Sequence, residues 1–261
     1  MSKKKQALLT ILETKAIYPV FQPIVNLENG NVVAYESLSR IENKNIDIHI
    51  EELFCLAEAY GCVWKLEKLC RDKALKASMN KPSGTKIFLN VDGQIFQDSN
   101  FISGFTNRKI EKFGLFNEDI VFEITERTDI ENCVLLQAIM NHYIDQGYQI
   151  ALDDVGAGYS GLNCVVNTTP NYLKADIELV RNIHLSKSKQ SMMKLLVEYC
   201  DEMGLKLIAE GIETQEELEC ICNLHVHYGQ GYYLGLPDCK FNGISSQALQ
   251  YLMNIHGMIK T

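Results

Sequence analysis

Six short apolar runs in this chain each end on one polar residue: VVAYE at Glu36, IFLN at Asn90, IVFE at Glu123, IALD at Asp153, NYLK at Lys174 and LIAE at Glu210. Runs of this length read as buried strands, and the segments between most of them (51–79, 132–146 and 188–203) carry helical spacing. PVFQPIVNL before the first run and YGQGYYLG after the last bring the strand candidates to eight. Strands alternating with helices imply a largely parallel sheet covered by helices. The first two candidates are joined only by ENGN, a hairpin-type turn, so they must run antiparallel. A TIM-type (β/α)8 barrel with its first strand antiparallel to the rest satisfies both requirements. A chain of 261 residues, 46% of them apolar, is the size of one such barrel, so residues 1–261 are expected to form a single domain.

In barrels of this type the reactive side chains stand where the parallel strands end. Any one polar strand end is an ordinary rim residue. Carboxylates converging from several strands repel one another strongly, and divalent cations would remove that repulsion. The oxygen-rich set Glu36, Asn90, Glu123 and Asp153 suits Mg²⁺ or Mn²⁺, whereas zinc would recruit His or Cys. Side chains alternate along a strand, so Lys174 and Asp176 share a face, and Asp176 is placed to orient the ammonium. A positioned Lys174 can stabilise a hydroxide or a phosphoryl oxygen, and Arg40 suits bidentate phosphate contact. His49, His142, His184 and His256 stand alone with no partner at ligand spacing, and His225 and His227, before the last strand and away from the mouth, read as structural or surface residues.

QIALDDVGAGYSGL also spells G-x-G-x-x-G from Gly156 to Gly161, the pattern of a dinucleotide cradle. Asp176 even lies about 20 residues on, where a ribose-binding acid would stand. Asp153 and Asp154 directly before the glycines would repel a pyrophosphate, and NTTP soon after leaves little room for the helix that would hold it. The glycines fit a tightly turning loop over the site better, and a nucleotide-cofactor oxidoreductase is the weaker reading. Asp154 can reach the mouth only if the backbone rotates as the strand ends, and the Val155-Gly156 step is expected to allow it.

The net charge of −8 argues against binding nucleic-acid polymers, which needs clustered Lys and Arg. MSKKKQALLTILETK resembles a secretion signal only briefly, because Glu13 interrupts the apolar run, and an amphipathic helix is expected instead. No segment approaches the length of a membrane span, so no membrane insertion is expected. Nine cysteines without a repeated C-x-x-C fit reduced thiols in a cytoplasmic protein.

The ordered motifs FQPIVNLENGNVVAYESLSR, FLNV, FEITE, ALDDVGAGYSGL, YLKAD, AEGIET and QGYYLG resemble the EAL-domain phosphodiesterases that hydrolyse cyclic di-GMP, over roughly residues 21–237. Glu36-Ser37-Leu38 stands where the name-giving Glu-Ala-Leu normally stands. The resemblance implies that Glu36, Asn90, Glu123 and Asp153 are metal ligands, with Asp153 and Asp154 supplying a second metal. It implies that Lys174 lies near the attacking water, that Glu210 helps hold a metal and its water, and that Gln230 completes that shell. Gln22, Leu38 and Arg40 match substrate-contact positions, and Glu126 and Glu213 match glutamates supporting the loop and the nucleotide pocket. The implied product is linear pGpG, the implied cofactors two Mg²⁺ or Mn²⁺ ions with calcium inhibitory, and the implied assembly a homodimer through the loop after Asp154. Departures at Ser37, Val155, Ala157, Asp92-Gly93 and Leu236 remove no metal ligand but bear on loop behaviour, dimer coupling and rate. A non-catalytic cyclic di-GMP sensor or protein-interaction module on the same barrel is the alternative.

Overall fold

In the computed structural model eight strands close into one barrel in the order β1 to β8: Ile17–Asn26, Val32–Ile41, Lys86–Val91, Ile120–Thr125, Gln149–Val155, Tyr172–Ala175, Lys206–Ala209 and Tyr228–Gly229. The structure describes residues 3–42, 48–125, 133–155, 165–166, 168 and 170–255. Strand β1 runs antiparallel to both β2 and β8, and every other neighbouring pair is parallel, as ENGN requires. The helices are α1 (Lys3–Thr14), α2 (Ile50–Ala59), α3 (Val63–Ala77), α4 (Phe105–Phe113), α5 (Cys133–Ile144), α6 (Ile177–Val180), α7 (Lys187–Met203), α8 (Gln215–Asn223) and α9 (Ser246–Ile255).

Helical spacing over 51–79 resolves into two helices rather than one. Gly61 takes φ 62°, and the Cys62 N–H donates to the Ala57 carbonyl at 2.8 Å, which is how a glycine just past a helix end turns the chain away. Prolines at 19 and 23 sit inside β1 without breaking it. The Phe21 N–H points away from β2 to the Asp238 carbonyl at 2.7 Å, so residues of the same parity have donors on the edge that β2 does not use.

Two apolar shells follow from strand alternation. Outward residues such as Leu89, Phe122, Leu152 and Leu173 pack under the helices. Inward residues Ile24, Ala34, Phe88, Val121, Ala151 and Ile208 fill the barrel, with Tyr172 and Tyr228 packed against them. This plug makes the barrel a solid core, with the ends of the parallel strands above it. No described helix is long and apolar enough to cross a membrane. The described cysteines are free thiols.

Candidate functional site

Each residue at the barrel mouth lies two positions along its strand from a residue of the plug. Ala34 leads to Glu36, Phe88 to Asn90, Val121 to Glu123, Ala151 to Asp153, Tyr172 to Lys174, Ile208 to Glu210 and Tyr228 to Gln230. In the reversed β1 the step runs backwards, from Ile24 to Gln22. A period of two therefore stacks one polar layer on one apolar layer across all eight strands. The apolar-run rule placed Glu36 at a strand end, and the structure corrects this. β2 continues beyond Ser37 to Ile41 as a two-stranded ribbon with β1, while Glu36 pairs with both Gln22 of β1 and Phe88 of β3.

Lys174 is the centre of the layer and is fully buried. Its ammonium contacts Glu123, lies 2.5 Å from Glu210 Oε1, and is 3.5 and 3.6 Å from Asp153 and Glu36. Asp176, expected to orient the ammonium, caps α6, its carboxylate accepting the Glu178 N–H at 2.7 Å. Burial opposes the charge on Lys174, but Asp153, Glu123, Glu210 and Glu36 outweigh it and hold its pKa well above the usual lysine value. Burial, and then the neighbouring carboxylates, push Glu123 well above the usual carboxylate range. Burial likewise raises Glu210 to about 8 against the pull of Lys174. One ammonium cannot neutralise this many acids.

Asp154 also belongs to the site. It is a non-glycine residue with φ 57°, and the β5–β6 register slips between Leu152 and Val155. The rotation expected at Val155-Gly156 thus occurs one residue earlier, at Asp154 itself. A short carboxylate side chain tolerates that conformation better than most. Asp153, Asp154 and Glu210 consequently bring oxygens within 4.8 Å of one another, as do Glu36, Glu123 and Glu210, so Glu210 belongs to both groups.

The donor set fits divalent cations on its own chemistry. Glu123 Oε2 and Gln230 Oε1 are buried without a hydrogen-bond partner, and Asp153 Oδ1, likewise without one, faces the Lys174 ammonium at 3.5 Å. Orphaned buried oxygens are unfavourable unless something positive meets them. Asn90 Nδ2 donates to Glu36 Oε1 at 3.1 Å, and Gln230 Nε2 donates to Glu36 Oε2 at 2.6 Å and Gln22 Oε1 at 3.2 Å. These amide donors fix the Glu36 carboxylate and direct their own carbonyl oxygens elsewhere.

The remaining sequence candidates lie around this layer. Gln22 is buried and donates to the Gly235 carbonyl at 3.2 Å, so it braces Gln230. Leu38 and Arg40 line a cavity of about 430 Å³ that Glu36 and Asn90 also border, together with Phe54, Glu67, Arg71 and Asp92. Arg40 Nη1 donates to the Ser39 carbonyl at 2.9 Å. Glu213 stands on a loop held by Glu217, whose Oε2 accepts the Glu213 and Thr214 N–H groups at 2.9 and 3.1 Å, and its carboxylate is 3.6 Å from Arg181. Glu126 and the glycines from Gly156 to Gly161 lie outside the described residues. His227 is structural, its Nδ1 accepting the Leu207 N–H at 3.2 Å. Sequence reading missed Glu67 and Arg71 on the cavity wall, although their spacing of four inside an otherwise apolar helix face is a recognisable signal.

The EAL domain family model matches residues 5–237. The chain is 27% identical over 237 residues to "Cyclic di-GMP phosphodiesterase PdeL" of Escherichia coli K12, covering 89% of this chain and 65% of PdeL. The match spans 44% of PdeG from the same organism, so it covers less than two thirds of the length of either curated relative. Among solved structures, a standalone EAL protein from Vibrio cholerae O395 bound to c-di-GMP is 26% identical with a TM-score of 0.75, covering 89% of this chain and 97% of that one. A manganese and cyclic di-GMP complex of Klebsiella pneumoniae BlrP1 is 25% identical with a TM-score of 0.76, covering 85% and 56%, and a calcium complex of the same protein has a TM-score of 0.79 at 25% identity, covering 88% and 58%.

Proposed function

The chain belongs to the EAL-domain family, and from that premise we propose that it is a metal-dependent phosphodiesterase that opens cyclic di-GMP to linear pGpG. The observation that carries this reading is the polar layer itself: five carboxylates and three amides around one buried lysine, with oxygens of Glu123 and Gln230 buried without a hydrogen-bond partner. Two Mg²⁺ or Mn²⁺ ions, when bound, would screen the diester charge and lower the pKa of a water. Glu36, Asn90, Glu123, Asp153, Asp154, Glu210 and Gln230 would hold them.

The chain's own groups have separable tasks. Lys174 keeps the carboxylates in register and presents an ammonium beside the reacting phosphate. Arg40 and Leu38 line the adjoining cavity, where a guanidinium and an apolar wall suit a phosphate and a purine. Water adds to one phosphorus, the bond to one 3′ oxygen breaks, and that oxygen leaves as a hydroxyl after taking a proton. The other phosphodiester stays intact, which gives pGpG. The BlrP1 calcium complex with cyclic di-GMP supports the reading that calcium permits binding, while its longer bonds and higher coordination number would spoil the geometry for turnover.

The test is to incubate the protein with cyclic di-GMP and Mg²⁺ or Mn²⁺ and resolve the nucleotides by chromatography. Appearance of pGpG, abolished by chelation and by calcium, supports the proposal. Tight binding without product over hours makes the chain a sensor. A homodimer through the segment after Asp154 is a further part of the proposal, and light scattering at micromolar protein tests it.

A further inference from the structure

We propose that Arg71, acting through Glu67, is a positioning residue for the candidate metal ligand Asn90. The inference rests on the phosphodiesterase reading of the mouth, but its own evidence lies behind the mouth, in α3. Glu67 and Arg71 stand one helical turn apart and are almost completely buried. A buried carboxylate uses both oxygens here. Oε1 accepts from Arg71 Nη2, and Oε2 accepts the backbone N–H of Asp92 at 3.0 Å.

That second bond is where the pair reaches the site. The last rung of the β3–β4 ladder joins Val91 to Ile124, so β4 gives Asp92 no rung, and Glu67 takes over where the sheet stops. Asn90 lies two residues earlier and is the exposed member of the layer, its amide donating to Glu36. The direction in which its carbonyl oxygen points depends on how the end of β3 is held. Arg71 is itself fixed by three elements. Its guanidinium donates at 3.2 Å to Thr106 Oγ1 on α4 and at 3.2 Å to the Tyr143 hydroxyl on α5, and it lies 4.8 Å from the ring centre of Phe122 on β4. Phe122 is the outward neighbour of Glu123. A planar fork with several donors can make these contacts together, whereas the single ammonium of a lysine cannot.

Groups that orient a ligand without touching the metal often change metal affinity by about 10- to 100-fold when removed. The full chain and its Arg71→Met, Arg71→Lys and Glu67→Gln variants would be titrated with Mn²⁺ by calorimetry, with cyclic di-GMP hydrolysis followed against Mn²⁺ concentration. Arg71→Met and Glu67→Gln should weaken Mn²⁺ by about tenfold and shift activation to correspondingly higher metal, with Arg71→Lys between them and wild type. One amide oxygen in Glu67→Gln cannot serve both Arg71 and Asp92, so this variant decides the matter even where Arg71→Met fails to fold. In an Asn90→Ala background the Glu67→Gln effect on Mn²⁺ affinity should largely vanish, since interacting residues are not additive. Lower melting temperatures with unchanged Mn²⁺ affinity in Glu67→Gln would make the pair purely structural and overturn the proposal. Wild-type protein that binds Mn²⁺ but hydrolyses nothing would sink the phosphodiesterase reading, and the affinity shift would still decide this one.

Discussion

Asp154 shows how much a single backbone angle contributes to the site. With φ 57° it breaks strand alternation, so that two adjacent aspartates face the same mouth instead of opposite sides of β5. Asparagine shares the tolerance of aspartate for this conformation, so Asp154→Asn removes charge and keeps the backbone. Its turnover should fall by about a hundredfold or more, the rate equivalent of several kcal/mol of lost metal-assisted stabilisation, while cyclic di-GMP binding stays within a few-fold. Single-turnover kinetics beside equilibrium binding separate these effects, and near-normal turnover would remove Asp154 from the machinery. Lys174 makes the complementary case. Lys174→Met takes away the cation that four carboxylates share and should cost the metal-free protein about 3–5 kcal/mol, read from urea unfolding in a chelator. A smaller loss in Mg²⁺ would show that metal and lysine neutralise the same charges. The residue identities were legible in the sequence because a carboxylate after an apolar run is conspicuous. The lysine's four partners were not, since they come from four strands that only barrel closure brings together.

At the scale of elements, strand period and turn chemistry carried most of the fold. ENGN revealed the reversed β1, and the plug and polar layers follow from a period of two. What stayed hidden was where strands stop. VVAYE looked finished at Glu36, yet β2 runs on as a ribbon because SLSRI still pairs with IYPVF of β1. The helix pair α2 and α3 looked like one segment because helical spacing continues through Gly61. The link from β8 into the following turn is equally invisible to pattern reading. Gly231 directly follows Gln230, and a Cβ there would lie 2.2 Å from the backbone N and O of Ile212. Backbone cannot move aside as a side-chain tip can. Gly231→Ala should therefore destabilise the protein by about 3 kcal/mol, at the upper end for overpacking, and should also shift Gln230 away from Glu36. Thermal unfolding together with Mn²⁺ affinity checks both consequences. A variant that lost stability but bound metal normally would show that Gln230 is not a ligand.

For the whole molecule, the acidic mouth sets a dependence on pH that differs with and without metal. A chain of net charge −8 gathers Glu36, Glu123, Asp153, Asp154 and Glu210 in one place, and Lys174 supplies the charge of one cation. Without metal the shortfall is met by protons: burial and neighbouring acids raise Glu123, and burial raises Glu210 to about 8 from an ordinary 4.5. A carboxyl whose pKa is higher folded than unfolded binds more protons in the folded state. Its stabilising contribution is complete below pH 4.5 and is lost as pH rises through about 8. Lys174, held well above its usual value, keeps its charge throughout this window and does not alter the sign. The melting temperature of chelated protein should therefore fall between pH 5 and pH 8. Saturating Mg²⁺ should flatten that fall, because a cation stabilises the ionised form that the proton otherwise prevents. Metal binding must then release protons, and calorimetry at pH 7 in two buffers of different ionisation enthalpy reads their number directly. Proton release close to zero, or a chelated melting temperature that rises from pH 5 to pH 8, would mean that Glu123 and Glu210 are already ionised and that Lys174 alone balances the layer.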